Sequence, residues 1–265
     1  MRNEGATGLA TLLALADSRL PIGGHVHSGG VEEAVASGLL RDAASVEVYL
    51  RRRIATTGLV TASLAAAVCA GTLAPDRADL ETDARTPSPA ARAASRAQGR
   101  GLLRLAKQLW PNPVEARSSG RTAMVGDDSR SAHHSDPTDL LDAGTLGSGD
   151  SFGGRPGESA YSNWAAVGPR PHLPTVFGMV GLACGADPRE LAGVVVYTTL
   201  TGAATAAQRL LALDPAAIAA STLRLAPLCD RVAAEAATGL AALSDPLQDA
   251  LAERHLHRDM PLFAS

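Results

Sequence analysis

The sequence predicts an all-α protein, a single helical domain of antiparallel helices interrupted by one long disordered insertion. Three observations lead there. Apolar residues make up 46% of the 265 residues but aromatics only 3%, so alanine and leucine carry the core. Such side chains favour closely packed helices and sit poorly in strands. The C-terminal half repeats one device, Asp187-Pro188, Asp214-Pro215 and Asp245-Pro246, in which a carboxylate caps orphan amides and proline takes the first helical position. No alternation of strand and helix patterns of the βαβ kind is present.

The elements run in order. A first helix is expected over Gly8 to Asp17. The passage LPIGGHVHSGGVEEAV, Leu20 to Val35, then breaks the helical pattern with glycines and two histidines. Ser28 is the expected N-cap of a second helix that runs through Ser37 and stops at Gly38. Glu32 and Glu33 in its first turn suit the positive helix end. A third, long helix is predicted from Ala43 to Cys69, because Val46, Tyr49, Leu50, Ile54 and Leu64 recur at helical spacing. After a break at Leu73-Ala74-Pro75, Ser88 and Pro89 open a helix that reaches Trp110. Its Arg92, Arg96, Arg100, Arg104 and Lys107 fall on one face, with Leu102, Leu105 and Leu109 on the other.

From Asn112 to Arg170 glycine, serine, proline and aspartate replace all apolar periodicity, and the segment reads as a flexible insertion. Its paired His133 and His134 offer at most a passing contact to a metal, and the plainer reading is that they are part of the disordered segment. Helices resume near Pro174 and end at Gly185. Asp187, with Glu190 three residues on, has the pattern of a capping box opening a helix to Leu213. Asp214-Pro215 and Asp245-Pro246 start the remaining two.

Composition excludes several function classes. The formal net charge of −3 leaves no basic field, so nucleic acid is not an expected partner. Cys69, Cys184 and Cys229 are widely spaced with no C-x-x-C pair, which argues against a disulfide framework or structural zinc and fits a reducing cytoplasm. The N-terminal residues do not have the pattern of a signal peptide, and the apolar run Leu59–Leu73 is shorter than a bilayer span, so no membrane association is expected. There is no G-x-x-x-x-G-K-[ST] for a nucleotide, no H-E-x-x-H and no G-x-S-x-G.

Two chemical readings of the glycine-rich passage stay open. His25 and His27 are two residues apart and together supply two ligands to a borderline metal such as nickel, fewer than a stable site needs. Ser28 beside His27 has the makings of an acyl-transfer pair in a small helical hydrolase, although serine at a helix start is usually a cap. The third reading is a contact surface, with glycines allowing close backbone approach. The tail ERHLHRDMPLFAS ends on Met260, Leu262 and Phe263, apolar anchors expected to dock in a groove of this chain or of a partner. Tyr197 and Arg209 share one long helix, where Gln208 and Arg209 interrupt small apolar residues.

Taken together, these residues resemble the UreF family of urease accessory proteins. The likeness rests on LLALADSRLPIGGHVHSGGVEEAV with Pro21, Gly23, Gly24, His27, Ser28, Gly30 and Glu32. It extends to SRAQGRGLLRLAKQLWP with Ser95, Gly99, Leu102 and Leu103, to HLPTVFGMVGLACG with His172, Pro174 and Gly178, and to AAQRLLALDP and the final LFAS. The resemblance implies an all-helical, non-enzymatic homodimer that assembles with UreD (UreH in some bacteria) and the GTPase UreG to deliver nickel to apo-urease. GTP would then be bound by UreG, and no cofactor would be held stably by this chain. The resemblance also implies partner contacts at Pro21, Gly23, Gly24, His27, Ser28, Gly30, Glu32, Tyr197, Arg209 and the tail residues Met260, Leu262 and Phe263. Two departures are visible. His25 stands where the family often has an aromatic residue after Gly-Gly, and the insertion before His172 is longer than the family's usual loop.

Overall fold

The computed structural model describes residues 8–20, 27–110, 164–243, 245–258 and 261–263. Among these, every regular element is a helix: α1 (Leu9–Leu15), α2 (Val31–Ala36), α3 (Ala43–Arg53), a π turn (Ile54–Gly58), α4 (Leu59–Cys69), α5 (Pro75–Arg85), α6 (Pro89–Leu109), a 3₁₀ turn (Trp164–Ala166), α7 (Leu173–Cys184), α8 (Pro188–Leu210), α9 (Pro215–Ala236) and α10 (Pro246–His255).

Helix α4 is the centre. It packs on α7, α8 and α9, and it is buried almost all round, from Leu59 and Val60 through Cys69. An apolar helix with no polar face has no stable place except the interior. Helix α7 is its closest neighbour and is equally buried from Pro174 to Gly181. The two approach at Gly178, where a Cβ would lie 2.7 Å from the carbonyl oxygen of Ala65. Small residues rather than interlocking aromatics therefore set the core spacing. Around this pair, α6 covers α7, α9 covers α8, and α10 bridges α2 and α6.

The caps explain where the helices begin. Ser88 accepts from the Ala91 amide, Asp187 from those of Arg189 and Glu190, Asp214 from Ala216 and Asp245 from Gln248. Gly185 closes α7 in the left-handed region at φ +74°, where a Cβ would be strained.

The structure departs from the sequence expectations at several places. The predicted Ala43–Cys69 helix is one helical rod broken by a π turn at Ile54–Gly58, a wider loop that takes one extra residue. The helix α5 lies where only a break was expected. Its sequence PDRADLETDAR is too polar to show an apolar stripe: it buries only Pro75, Ala78 and Thr82, and Asp79 and Asp83 pair with Arg96. Ser28 does not cap α2. Gly30 occupies that position at φ +87° with no side-chain cap, while Ser28 is buried and its Oγ has no hydrogen-bond partner. The last turn of the helix expected to reach Leu213 is lost after Leu210.

Residues 112–163 of the predicted insertion lie outside the described residues, as do His133 and His134. Its last seven residues belong to the folded body. Trp164 is buried and its indole Nε1 donates to the Trp110 carbonyl oxygen at 2.6 Å, so the end of α6 and the approach to α7 are tied together. One aromatic inside a glycine- and serine-rich context left no periodic trace in the sequence.

Candidate functional site

The glycine-rich passage enters the described structure at His27, and its next turn is shaped by the backbone. Gly29 and Gly30 take φ +58° and +87°, a region that L side chains rarely enter. A Cβ on Gly29 would strike the Arg53 guanidinium, with Cζ at 2.9 Å, and one on Gly30 would lie 3.2 Å from Leu251 Cβ. The glycines therefore let the start of α2 lie directly on α3 and α10. Arg53 Nη1 donates to the Gly29 carbonyl and to Gln248 Oε1, both at 2.7 Å, and the Tyr49 hydroxyl lies 3.3 and 3.2 Å from the same two acceptors. Burial raises the Tyr49 pKa, so its phenol stays protonated. A cavity of about 200 Å³ opens beside His27, Gly29, Arg53 and Gln248.

One turn further on, Glu32 and Glu33 receive the C-terminal tail. Glu32 is 4% exposed. Its Oε1 accepts from the Leu262 amide at 2.8 Å and its Oε2 from the Phe263 amide at 3.0 Å. A carboxylate on two backbone amides is a charge-assisted pair of hydrogen bonds. Phe263 is buried, its carbonyl lies 3.1 Å from His255 Nε2, and the Arg209 guanidinium sits 5.4 Å from the ring centroid, within cation–π range. Glu33 pairs with Arg254 at 3.0 Å and Arg258 at 3.2 Å. Leu262, by contrast, is 80% exposed.

The structure thus brings Glu32, Arg209 and Phe263, three of the residues singled out in the sequence, into one contact. Gly30 and Ser28 lie immediately before that contact on the same turn. Tyr197 does not join it: 12 residues of α8 separate it from Arg209, about 18 Å of helix, and it is exposed. Pro21, Gly23, Gly24, His25 and Met260 lie outside the described residues. Sequence reasoning did not foresee the pairing of Glu33 with Arg254 and Arg258. The available signal was charge complementarity, an acidic pair at 32–33 against a basic run at 254–258. Among the described residues no group of three or more His, Cys, Asp or Glu is placed to hold a metal ion, and no helix is long and apolar enough to cross a membrane.

A second polar cluster lies inside the fold. His172 is fully buried. Its Nδ1 is 3.0 Å from Ser95 Oγ and its Nε2 2.9 Å from Asp83 Oδ1. Burial pulls the His172 pKa below its ordinary value of 6.5, against the raising effect of Asp83. The neutral ring donates from Nε2 to Asp83 and accepts from Ser95, whose oxygen in turn accepts from the Leu173 amide at 3.2 Å. Asp79 takes the His172 amide and the Thr175 hydroxyl, and Arg96 joins Asp79 and Asp83. A Ser–His–Asp row of this kind invites comparison with hydrolases, but the imidazole is sealed from solvent and its serine already caps α7. Its work is to lock α5, α6 and α7 together.

With fold and site in view, the relatives are decisive. The UreF family model matches residues 40–226. The chain is 54% identical over 259 residues to the urease accessory protein UreF of Mycobacterium sp. (strain JLS), covering 98% of this chain and 100% of that protein. The chain belongs to the UreF family. It is also 53% identical over 262 residues to the urease accessory protein UreF of Mycolicibacterium vanbaalenii, with 98% and 100% covered. The UreF of Mycobacterium tuberculosis (strain CDC 1551 / Oshkosh) is 49% identical over 259 residues, again with 98% and 100% covered. Membership makes this chain a urease maturation factor and not an enzyme in its own right.

Proposed function

We propose that this UreF-family chain is a scaffold that assembles, as a cytoplasmic homodimer, with UreD (or UreH) and the GTPase UreG. In that assembly it supports GTP-dependent insertion of nickel into apo-urease. Nickel is cargo of the assembly, and GTP belongs to UreG. The observation that carries the reading is the joined surface of α2 and the tail. Glu32 grips the backbone at Leu262 and Phe263 and leaves the Leu262 side chain outward, and Leu256 at the end of α10 is exposed as well. Two outward leucines on a fixed frame have the character of an anchor for a partner's apolar pocket. The surface holds proteins in register, and the chemistry of metal transfer is left to the partners.

The test is co-purification with UreD and UreG, followed by activation of apo-urease, with Leu262–Ser265 removed. Loss of the complex and of activation is expected. Retained binding and full activation would overturn the role assigned to the tail. Alanine at both His25 and His27 separates a metal route from an interface. Under this reading, any defect appears in assembly; intact assembly with lost nickel transfer would move the role to direct nickel carriage.

A further inference from the structure

Helix α6 carries five cations in one line, and the structure divides them. Arg92 and Arg96 face the acidic helix α5. Arg96 lies 2.7 Å from Asp83 and 3.4 Å from Asp79, and Arg92 lies 3.7 Å from Asp83. Asp79 and Asp83 are one helical turn apart, so a turn of α5 matches a turn of α6. Arg100, Arg104 and Lys107 continue the same line. All three are exposed, and among the described residues none has a carboxylate within ion-pair distance. They border an open groove of about 410 Å³ together with Ala97, Leu103 and Pro169.

Three like charges at spacings of four and three repel one another along about 10 Å of helix. Nothing in the fold requires that arrangement, since α6 is already seated by Leu102, Leu103 and Ala106 on its buried face. We propose that this groove docks an acidic helix of a partner protein. Its carboxylates would be spaced four and three residues apart opposite Arg100, Arg104 and Lys107, with an apolar residue resting against Ala97 and Pro169. The first half of the stripe already receives such a helix, α5, with carboxylates four residues apart. Nucleic acid fits the groove poorly. The chain's net charge is −3, and the lining offers no aromatic face on which a base could stack. This surface is separate from the tail contact, so its fate does not depend on the proposed nickel-delivery role.

The test uses the full chain and a labelled helical peptide with aspartates at positions i, i+4 and i+7 and leucine between them, followed by fluorescence anisotropy. Binding is expected at 50 mM salt and is expected to fade at 500 mM. The triple variant R100E/R104E/K107E should weaken it by about tenfold or more, given the usual worth of three exposed pairs. R231E, a charge change elsewhere on the surface, should leave it unchanged. A peptide of the same composition with shuffled spacing should bind several-fold more weakly. Circular dichroism of the triple variant checks that the helices are intact. Equal binding by the triple variant or by the shuffled peptide would overturn the proposal, as would no binding by the wild type. Faster hydrogen exchange across residues 111–163 in the triple variant would also overturn it, by assigning the groove to this chain's own segment.

Discussion

Replacing Glu32 with glutamine tests the frame on which the tail sits. In the wild type each carboxylate oxygen receives one backbone amide, Leu262 at 2.8 Å and Phe263 at 3.0 Å. Glutamine keeps the shape but has one acceptor oxygen. The second amide would then face an NH₂ donor, with Glu32 itself only 4% exposed. One charge-assisted bond is lost and a buried donor is orphaned, which costs about 1.5–3 kcal/mol. The equilibrium for local release of the tail shifts by roughly tenfold to hundredfold. The readout is amide hydrogen exchange at Leu262 and Phe263, which should accelerate by that factor while the core amides of α4 keep their protection. Carboxypeptidase digestion should reach the tail correspondingly faster. Unchanged exchange at the two amides would refute the argument and would leave the Arg209–Phe263 contact as what holds the tail.

The interior supplies two further tests. The depressed pKa of His172 means that the unfolded chain binds a proton that the folded chain refuses. Its contribution is fully present above the ordinary value of 6.5 and is lost as the pH falls from there through the folded value. Urea midpoints should drop between pH 7.5 and pH 5.5, and a His172→Gln variant, which cannot titrate, should show a smaller drop; equal drops would remove His172 from the account. Gly99→Ala improves helix propensity but drives a Cβ into backbone, the Pro171 carbonyl oxygen, His172 C at 2.8 Å and Leu173 N at 3.0 Å. The net expectation is a loss of about 1–3 kcal/mol from overpacking, read as a lower urea midpoint at constant m-value, whereas a more stable variant would show that the α6–α7 approach is slack.

What the sequence made legible was whatever is decided locally. Ser88, Asp187, Asp214 and Asp245 each mark a helix start because a cap needs only its own next few residues. Ser28 misled for the same reason. The local pattern favoured a cap, but the contacts that place Arg53 and Gln248 beside the chain demanded two left-handed glycines there. Helix α5 was missed because it has no apolar stripe and is held by polar partners on other helices, Arg96 on α6 and His172 at the start of α7. The candidate site was half legible. Glu32, Arg209 and Phe263 could each be singled out, but their meeting depends on α2, α8 and the tail converging, which no periodicity records.

The π turn at Ile54–Gly58 has a consequence for how the two ends of one rod are aimed. One additional residue turns everything beyond it by about 100° relative to an uninterrupted α-helix. Before the turn, Arg52 reaches Asp245 at 2.7 Å and Arg53 reaches Gln248, so α3 is aimed at the helix that leads into the tail. After it, α4 is aimed at the apolar core, buried from Leu59 and Val60 through Cys69. Thr56, inside the turn, donates to Asp245 as well. A chain one residue shorter there would keep its helix but lose this phasing. Either the core would rotate out of register or the two arginines would swing away from α10. The wide turn works as a fixed angular offset that lets one helical rod serve both the core and the contact with α10.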